Sequence, residues 1–180
     1  AAKLRIEGLP WVNRAEVERI LPKTIAVTVV ERVPMAIWQS NDLHQVIDTE
    51  GKVIIDQSPS DFLDLPVVSG EGAAVSAAEL VSVLSIVPSI RQYVVAAERR
   101  GDRRWDLFLT LGIKVQLPST AADLALRRLS DAEGRFGLLS RDIVNIDLRV
   151  ADRMIVRKRN ESDDNGRDLF ATETHVSTFF

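Results

Sequence analysis

The sequence predicts an α+β fold: the rear part of a small α/β unit that continues into a mostly antiparallel β-domain with two or three helices. Three observations carry this expectation. From Thr24 to Trp38 the chain is rich in β-branched residues, and Ile25, Val27 and Val29 alternate with Ala26, Thr28 and Val30, which makes a strand with at least one buried face. Trp105, Leu107 and Leu109 alternate with Asp106, Phe108 and Thr110, and Ile113, Val115 and Leu117 with Lys114 and Gln116; with Gly112 between them these form the clearest hairpin in the chain. Two other stretches, through Ala77, Leu80, Val81 and Leu84 and through Leu124, Leu126, Leu129 and Phe136, are apolar at helical spacing instead.

In chain order, Leu4, Ile6 and Leu9 form a short apolar segment ending at Gly8-Leu9-Pro10. Asn13 followed by Glu16 resembles a capping box, and Ala15, Val17, Ile20 and Leu21 fall on one side of a short helix that Pro22 stops. Pro34, which has no N–H, breaks the following strand and biases Val33 towards an extended shape, so Met35 to Trp38 begins a second extended run. A helix feeding two strands is half of a small α/β unit. Asn41-Asp42 is a turn, and Val46 to Ile55 reads as a hairpin around Thr49-Glu50-Gly51. Gln57 to Asp64 is a polar loop, Leu65 to Gly70 a short extended piece, and Ala74 to Val87 a helix ended by Pro88. Val94 to Arg99 is a strand with its turn at Arg100-Gly101-Asp102. Ser119 or Thr120 caps the second helix, which stops near Gly137. Ile143 to Leu148 and Met154 to Val156 are the last strands, and a polar tail from Asn160 is expected to be poorly ordered. The division that results is 1–38, 39–159 and 160–180.

Bulk composition excludes several classes. The 180 residues are 46% apolar and 27% charged with net charge −3, so no overall field favours nucleic acid or an anionic membrane. No cysteine is present, which removes disulfides and thiol chemistry. No apolar run approaches the roughly 20 residues that cross a bilayer, and Ala1 does not open a secretory leader, so an export or anchoring element is expected outside this sequence.

Chemistry-bearing residues do not converge. His44 stands at a turn and His175 in the tail, with no spacing that brings imidazoles together on a metal. Asp61 with Asp64, and Asp163 with Asp164, lie in polar stretches where solvation, not a tuned acid–base couple, is the simpler reading. Ser69-Gly70-Glu71-Gly72 lacks the lysine of a phosphate loop, and no nucleophile-elbow pattern occurs. Trp11, Trp38 and Trp105 read as core anchors. We therefore expect no catalytic residue, no metal site and no cofactor. A hydrolase built on His44, Asp61 and Asp64 is the opposing hypothesis.

Two features point to binding. The terminal strand, Arg153 to Arg157, belongs at a sheet edge, where unpaired backbone groups can accept a partner strand; equally, Arg153, Arg157, Lys158 and Arg159 are the charges that proteins use to block such pairing. The cluster Arg99, Arg100, Arg103 and Arg104 is a solvated turn or an attraction for an acidic segment.

Several blocks resemble the periplasmic part of the bacterial cell-division FtsQ/DivIB family: Pro10-Trp11-Val12 with Ala15, Val17 and Arg19; Pro22, Thr24, Ile25, Val27, Val29, Glu31, Arg32, Pro34, Ala36 and Trp38; Asp48 with Gly51; Leu65-Pro66-Val67 with Gly70; Trp105, Leu107 and Gly112; and Asp147-Leu148-Arg149. The second block is the specific one. The resemblance implies a single-pass inner-membrane protein with a POTRA domain next to the membrane and a β-domain after it. In this chain that assigns 1–38 to the rear of the POTRA domain and 39–159 to the β-domain. It further implies a non-enzymatic scaffold of the division machinery at the septum that recruits FtsB- and FtsL-type proteins, the first by strand pairing along the last β-strand. Carried over on Asp147-Leu148-Arg149, the contact positions fall at Val150, Asp152, Arg153, Met154, Ile155, Val156, Arg157 and Lys158, with Arg103 and Arg104 meeting the partner near the hairpin tryptophan. The chain departs from the family where a tyrosine often follows the "DLR" motif, here Val150, and where a glycine is common, here Arg153. A POTRA-bearing outer-membrane assembly or secretion component is the alternative.

Overall fold

A computed structural model describes residues 2–41, 43–55 and 57–159. Its elements run α1 (Ala2–Glu7), β1 (Val12–Ile20), β2 (Thr24–Glu31), β3 (Pro34–Ser40), β4 (Leu43–Asp48), β5 (Val67–Ser69), α2 (Ala73–Ser85), α3 (Pro88–Arg91), β6 (Val94–Arg100), β7 (Arg104–Leu109), β8 (Lys114–Gln116), α4 (Ala122–Phe136), β9 (Ile143–Asp147) and β10 (Ile155–Lys158). The fold is α+β, as expected, and three helices accompany the large sheet.

The first unit corrects one expectation. Residues 12–20 are a strand, not a capped helix. They pair antiparallel with β2, setting Ala15 against Val29 and Val17 against Val27. Val12, Val17 and Ile20 are β-branched and lose little by extending, and β2 lies only three residues further on, so cross-strand packing outweighs a weak helical pattern. Pro22 therefore belongs to the connection between the two strands, and Glu16 pairs with Arg14 at 2.8 Å. The helix of this unit is α1, whose Glu7 carboxylate accepts the Ala15 N–H at 3.1 Å.

The second sheet has eight strands in the order β10-β9-β8-β7-β6-β5-β3-β4. The pairs β3–β5, β5–β6 and β8–β9 are parallel and the other four antiparallel. Register places Trp38, Val68, Ala97, Leu107, Val115, Ile146 and Val156 in one line across seven strands. From Val68 to Ile146 that line is fully buried, in one core with Ala77, Leu80 and Leu84 of α2 and Ala125, Leu126 and Leu129 of α4. Leu124 and Phe136, expected on the same apolar face of α4, stay exposed. The adjacent line, Gln39, Ser69, Glu98, Asp106, Gln116, Asp147 and Ile155, falls on the opposite face, because successive strand residues alternate sides.

Other boundaries shift for local reasons. Ala121, at φ +54°, precedes α4 with no side-chain cap, so neither Ser119 nor Thr120 fills that role. Pro88 opens α3, where its missing N–H costs nothing. The return limb of the hairpin expected at 46–55 is reduced to the single bridge Ile47–Val53. Asp42 and the tail from 160 lie outside the described residues.

Asp48, at the end of β4, is buried and ties the units together. Its carboxylate accepts the Glu50 and Lys52 N–H groups at 2.9 Å each and pairs with Arg32, which follows β2. Burial pulls the Asp48 carboxyl up, but the backbone N–H donors and the Arg32 guanidinium outweigh it and hold the group below its ordinary range. A carboxyl depressed in the folded state stabilises above its unfolded value and loses that contribution as pH falls through the folded one. Wild-type stability to urea should therefore fall on acidification below about pH 4, with a smaller fall in Asp48→Asn. At neutral pH that variant, left with an uncompensated Arg32, should be about 3 kcal/mol less stable. Parallel pH profiles for the two proteins would contradict this. Gly70 ends β5 at φ +99°, and a Cβ there would stand 2.4 Å from the Arg99 carbonyl oxygen on β6. Gly70→Ala should cost about 2 kcal/mol or more, read as a lowered thermal midpoint.

Candidate partner-binding edge

β10 is the last strand of the sheet. Among the described residues it pairs only with β9, setting Ile155 opposite Asp147, Val156 opposite Ile146 and Arg157 opposite Asn145, and the register shifts before Lys158 meets Ile143. Among the described residues no strand lies on its other flank, so one side of its backbone is free to pair. All four of its residues are exposed, Ile155 to 54% and Val156 to 37%.

The frame behind this strand is fixed. Leu148, fully buried, donates its N–H to the Gln116 carbonyl at 2.9 Å. Arg149 grips the Asp147 carboxylate at 2.6 to 3.0 Å through Nε and Nη2. That bond, with the Arg149 backbone N–H, holds the Asp147 carboxyl below its usual range and raises Arg149, although burial opposes the first shift. At the far end, Arg159 pairs with Asp142 at 2.9 Å and its N–H meets the Asp142 carbonyl at 3.1 Å. Asp147 and Asp142, the acids beside β10, are thus already engaged.

The expected contact residues divide into groups. Ile155, Val156, Arg157 and Lys158 form the edge strand itself. Val150, Asp152 and Arg153 form the exposed turn that leads into it, closed by the Arg153 N–H on the Val150 carbonyl at 3.3 Å. Asp152 takes the left-handed conformation at φ +62°, so the turn is made without glycine by a residue type that tolerates that region. The strand starts at Ile155, later than expected, and Met154 is half-buried against the core, a packing position ahead of the edge.

Arg103 and Arg104 stand elsewhere. Arg103 is exposed in the β6–β7 turn, and Arg104 opens β7, three strands or about 14 Å from β10. Arg104 is close enough to Asp147 to favour its ionised form. Residues 100–103 of the basic cluster form an exposed turn, and two of its cations are engaged: Arg99 lies 5.5 Å from the Trp105 ring centroid and pairs with Asp102 at 3.0 Å, and Arg100 pairs with Glu98 at 2.8 Å.

Residues weighed for catalysis do not assemble. His44, Asp61 and Asp64 are exposed on separate elements, and among the described residues no group of His, Asp and Glu could hold a metal ion. His175, Asp163 and Asp164 lie outside the described residues. No helix among the described residues is long and apolar enough to cross a membrane. Sequence reasoning missed Arg149 and Arg159 as the residues that engage the local acids; the i, i+2 spacing of Asp147 and Arg149 was the available signal.

The family model described as cell division protein FtsQ/DivIB, C-terminal, matches residues 36–149, and that described as POTRA domain, FtsQ-type, matches residues 1–32. The cell division protein FtsQ of Bartonella bacilliformis is 38% identical over 161 residues, covering 89% of this chain and 52% of that protein. That of Caulobacter vibrioides is 37% identical over 156 residues, covering 87% and 52%. The chain spans about half the length of these relatives. The solved major extracytoplasmic domain of DivIB from Geobacillus stearothermophilus is a distant likeness, 15% identical with a TM-score of 0.39 over 62% of this chain and 92% of that one. On the strength of the family models and the sequence relatives, the chain belongs to the FtsQ/DivIB family of bacterial cell-division proteins.

Proposed function

We propose that this chain is the periplasmic working part of a non-enzymatic division scaffold, and that it recruits an FtsB-type protein, and with it an FtsL-type protein, by accepting a partner strand along β10. The observation that carries the reading is the free flank of β10, a strand with exposed Ile155 and Val156 and a single neighbour among the described residues. Strand addition draws its affinity from main-chain hydrogen bonds and its specificity from alternate side chains. This matters here because the aromatic anchor expected after the "DLR" motif is Val150. Residues 1–38 act as the rear of a POTRA unit, 39–159 as the docking domain and 160–180 as a tail, in a longer protein held in the inner membrane at the septum by a helix outside this sequence.

Binding to the FtsB-type protein of the same cell tests this. Val156→Pro should weaken capture at least tenfold, about 1.4 kcal/mol, and Val156→Lys should weaken it less, because it keeps the N–H that strand alternation turns away from β9. Circular dichroism should show both variants folded, since Val156 is 37% exposed at the sheet edge. Folded variants with undiminished capture would overturn the reading.

A further inference from the structure

The first unit and the β-domain do not share a core. Val12 and Ala15 are buried within the first unit, while the large core starts at Met35 and takes in no residue before it. Among the described residues no strand of the first sheet pairs with one of the second. The chain crosses between them through Arg32-Val33-Pro34, where Val33 is 61% exposed. Units joined without a large apolar interface move relative to each other unless something else holds them. Here side chains do the holding. Arg32 pairs with the buried carboxylate of Asp48. The Asn13 side chain bonds the Glu50 carboxylate, which Lys52 meets at 2.9 Å. The Trp11 ring centroid lies 6.5 Å from that of Phe62, in the segment between β4 and β5. On the side of the first unit the three contacts spring from one place, because the Arg32 N–H donates to the Trp11 carbonyl at 2.8 Å. A buried ion pair adds little net stability, since desolvation offsets the attraction, but it fixes geometry and is costly to break from one side.

We propose that residues 32–34 form a hinge closed by this three-point latch, and that the latch decides where the β-domain carries β10. Hinges of this kind are a few residues at the ends of elements that absorb the change in backbone angle. β10 stands at the opposite end of the eight-stranded sheet from β4, beside which the latch sits, so a small rotation at the joint becomes a large displacement at β10. With the latch closed the edge is aimed in one direction; with it open the edge sweeps a wider space. The consequence for partner capture rests on the strand-addition reading, whereas the hinge itself does not.

The chain holds no cysteine, so spin labels can be placed in pairs. Glu18→Cys in β1 with Ser82→Cys in α2 spans the joint, and Ser82→Cys with Lys158→Cys stays within the β-domain; all three positions are exposed. Double electron–electron resonance on the full chain, with no partner added, reads both distances and so tests the hinge apart from strand addition. With the latch intact, the spanning pair should give one narrow distance distribution. Arg32→Met, which leaves the Glu50 and Lys52 N–H groups on Asp48, should at least double its width. Arg32→Met with Phe62→Ala should widen it further, and Arg32→Lys should bring it most of the way back. The pair inside the β-domain should keep its distance in every variant. A spanning distribution that stays narrow in the double variant, or one already as broad with the latch intact, would overturn the proposal. Broadening of both pairs together would show that these contacts hold the β-domain itself, and would overturn it too.

Discussion

Alternation along five strands brings Val68, Ala97, Leu107, Val115 and Ile146 into one continuous buried line, and the rest of the β-domain depends on that line. A slip of one residue in any strand would exchange the line for its neighbour, which carries Glu98, Asp106, Gln116 and Asp147. Burying those groups without partners would cost far more than the apolar contacts return. Register is therefore set by the contrast between two rows, and both parallel and antiparallel pairs obey it.

The free edge follows from the same constraint. The core ends effectively at Ile146: Val156, the next residue in the line, is already 37% exposed. β10 adds hydrogen bonds to β9 but little burial, so it completes the sheet without closing it. Its position is held by polar links, Arg159 to Asp142 at one end and the Val150–Arg153 turn at the other. A strand placed by hydrogen bonds and ion pairs, with its apolar side chains unspent, is suited to pairing with another chain.

Much of this was legible in the sequence wherever the pattern was strictly local. The β7–β8 hairpin, the β6 turn and the end of α4 at Gly137 were readable because period-two alternation and positive-φ glycines act over a few residues. Residues 12–20 were misread because Asn13 and Glu16 fit a helix start while the deciding partner, β2, is not visible in a window that short. The Asp48–Arg32 pair, sixteen residues apart, has no local signature even though Asp48 and Gly51 mark a turn. At the binding edge, the charges and the terminal place were legible. The start of β10 and the inward packing of Met154 were not, since both depend on where the Leu148–Arg153 turn deposits the chain.

The Arg32–Asp48 tie joins the first unit to the sheet at β4, the opposite extreme from β10. Seven inter-strand steps of about 4.8 Å put the two extremes about 34 Å apart. On the proposed reading, a partner on the first unit and a strand added to β10 would be kept apart by the breadth of the sheet.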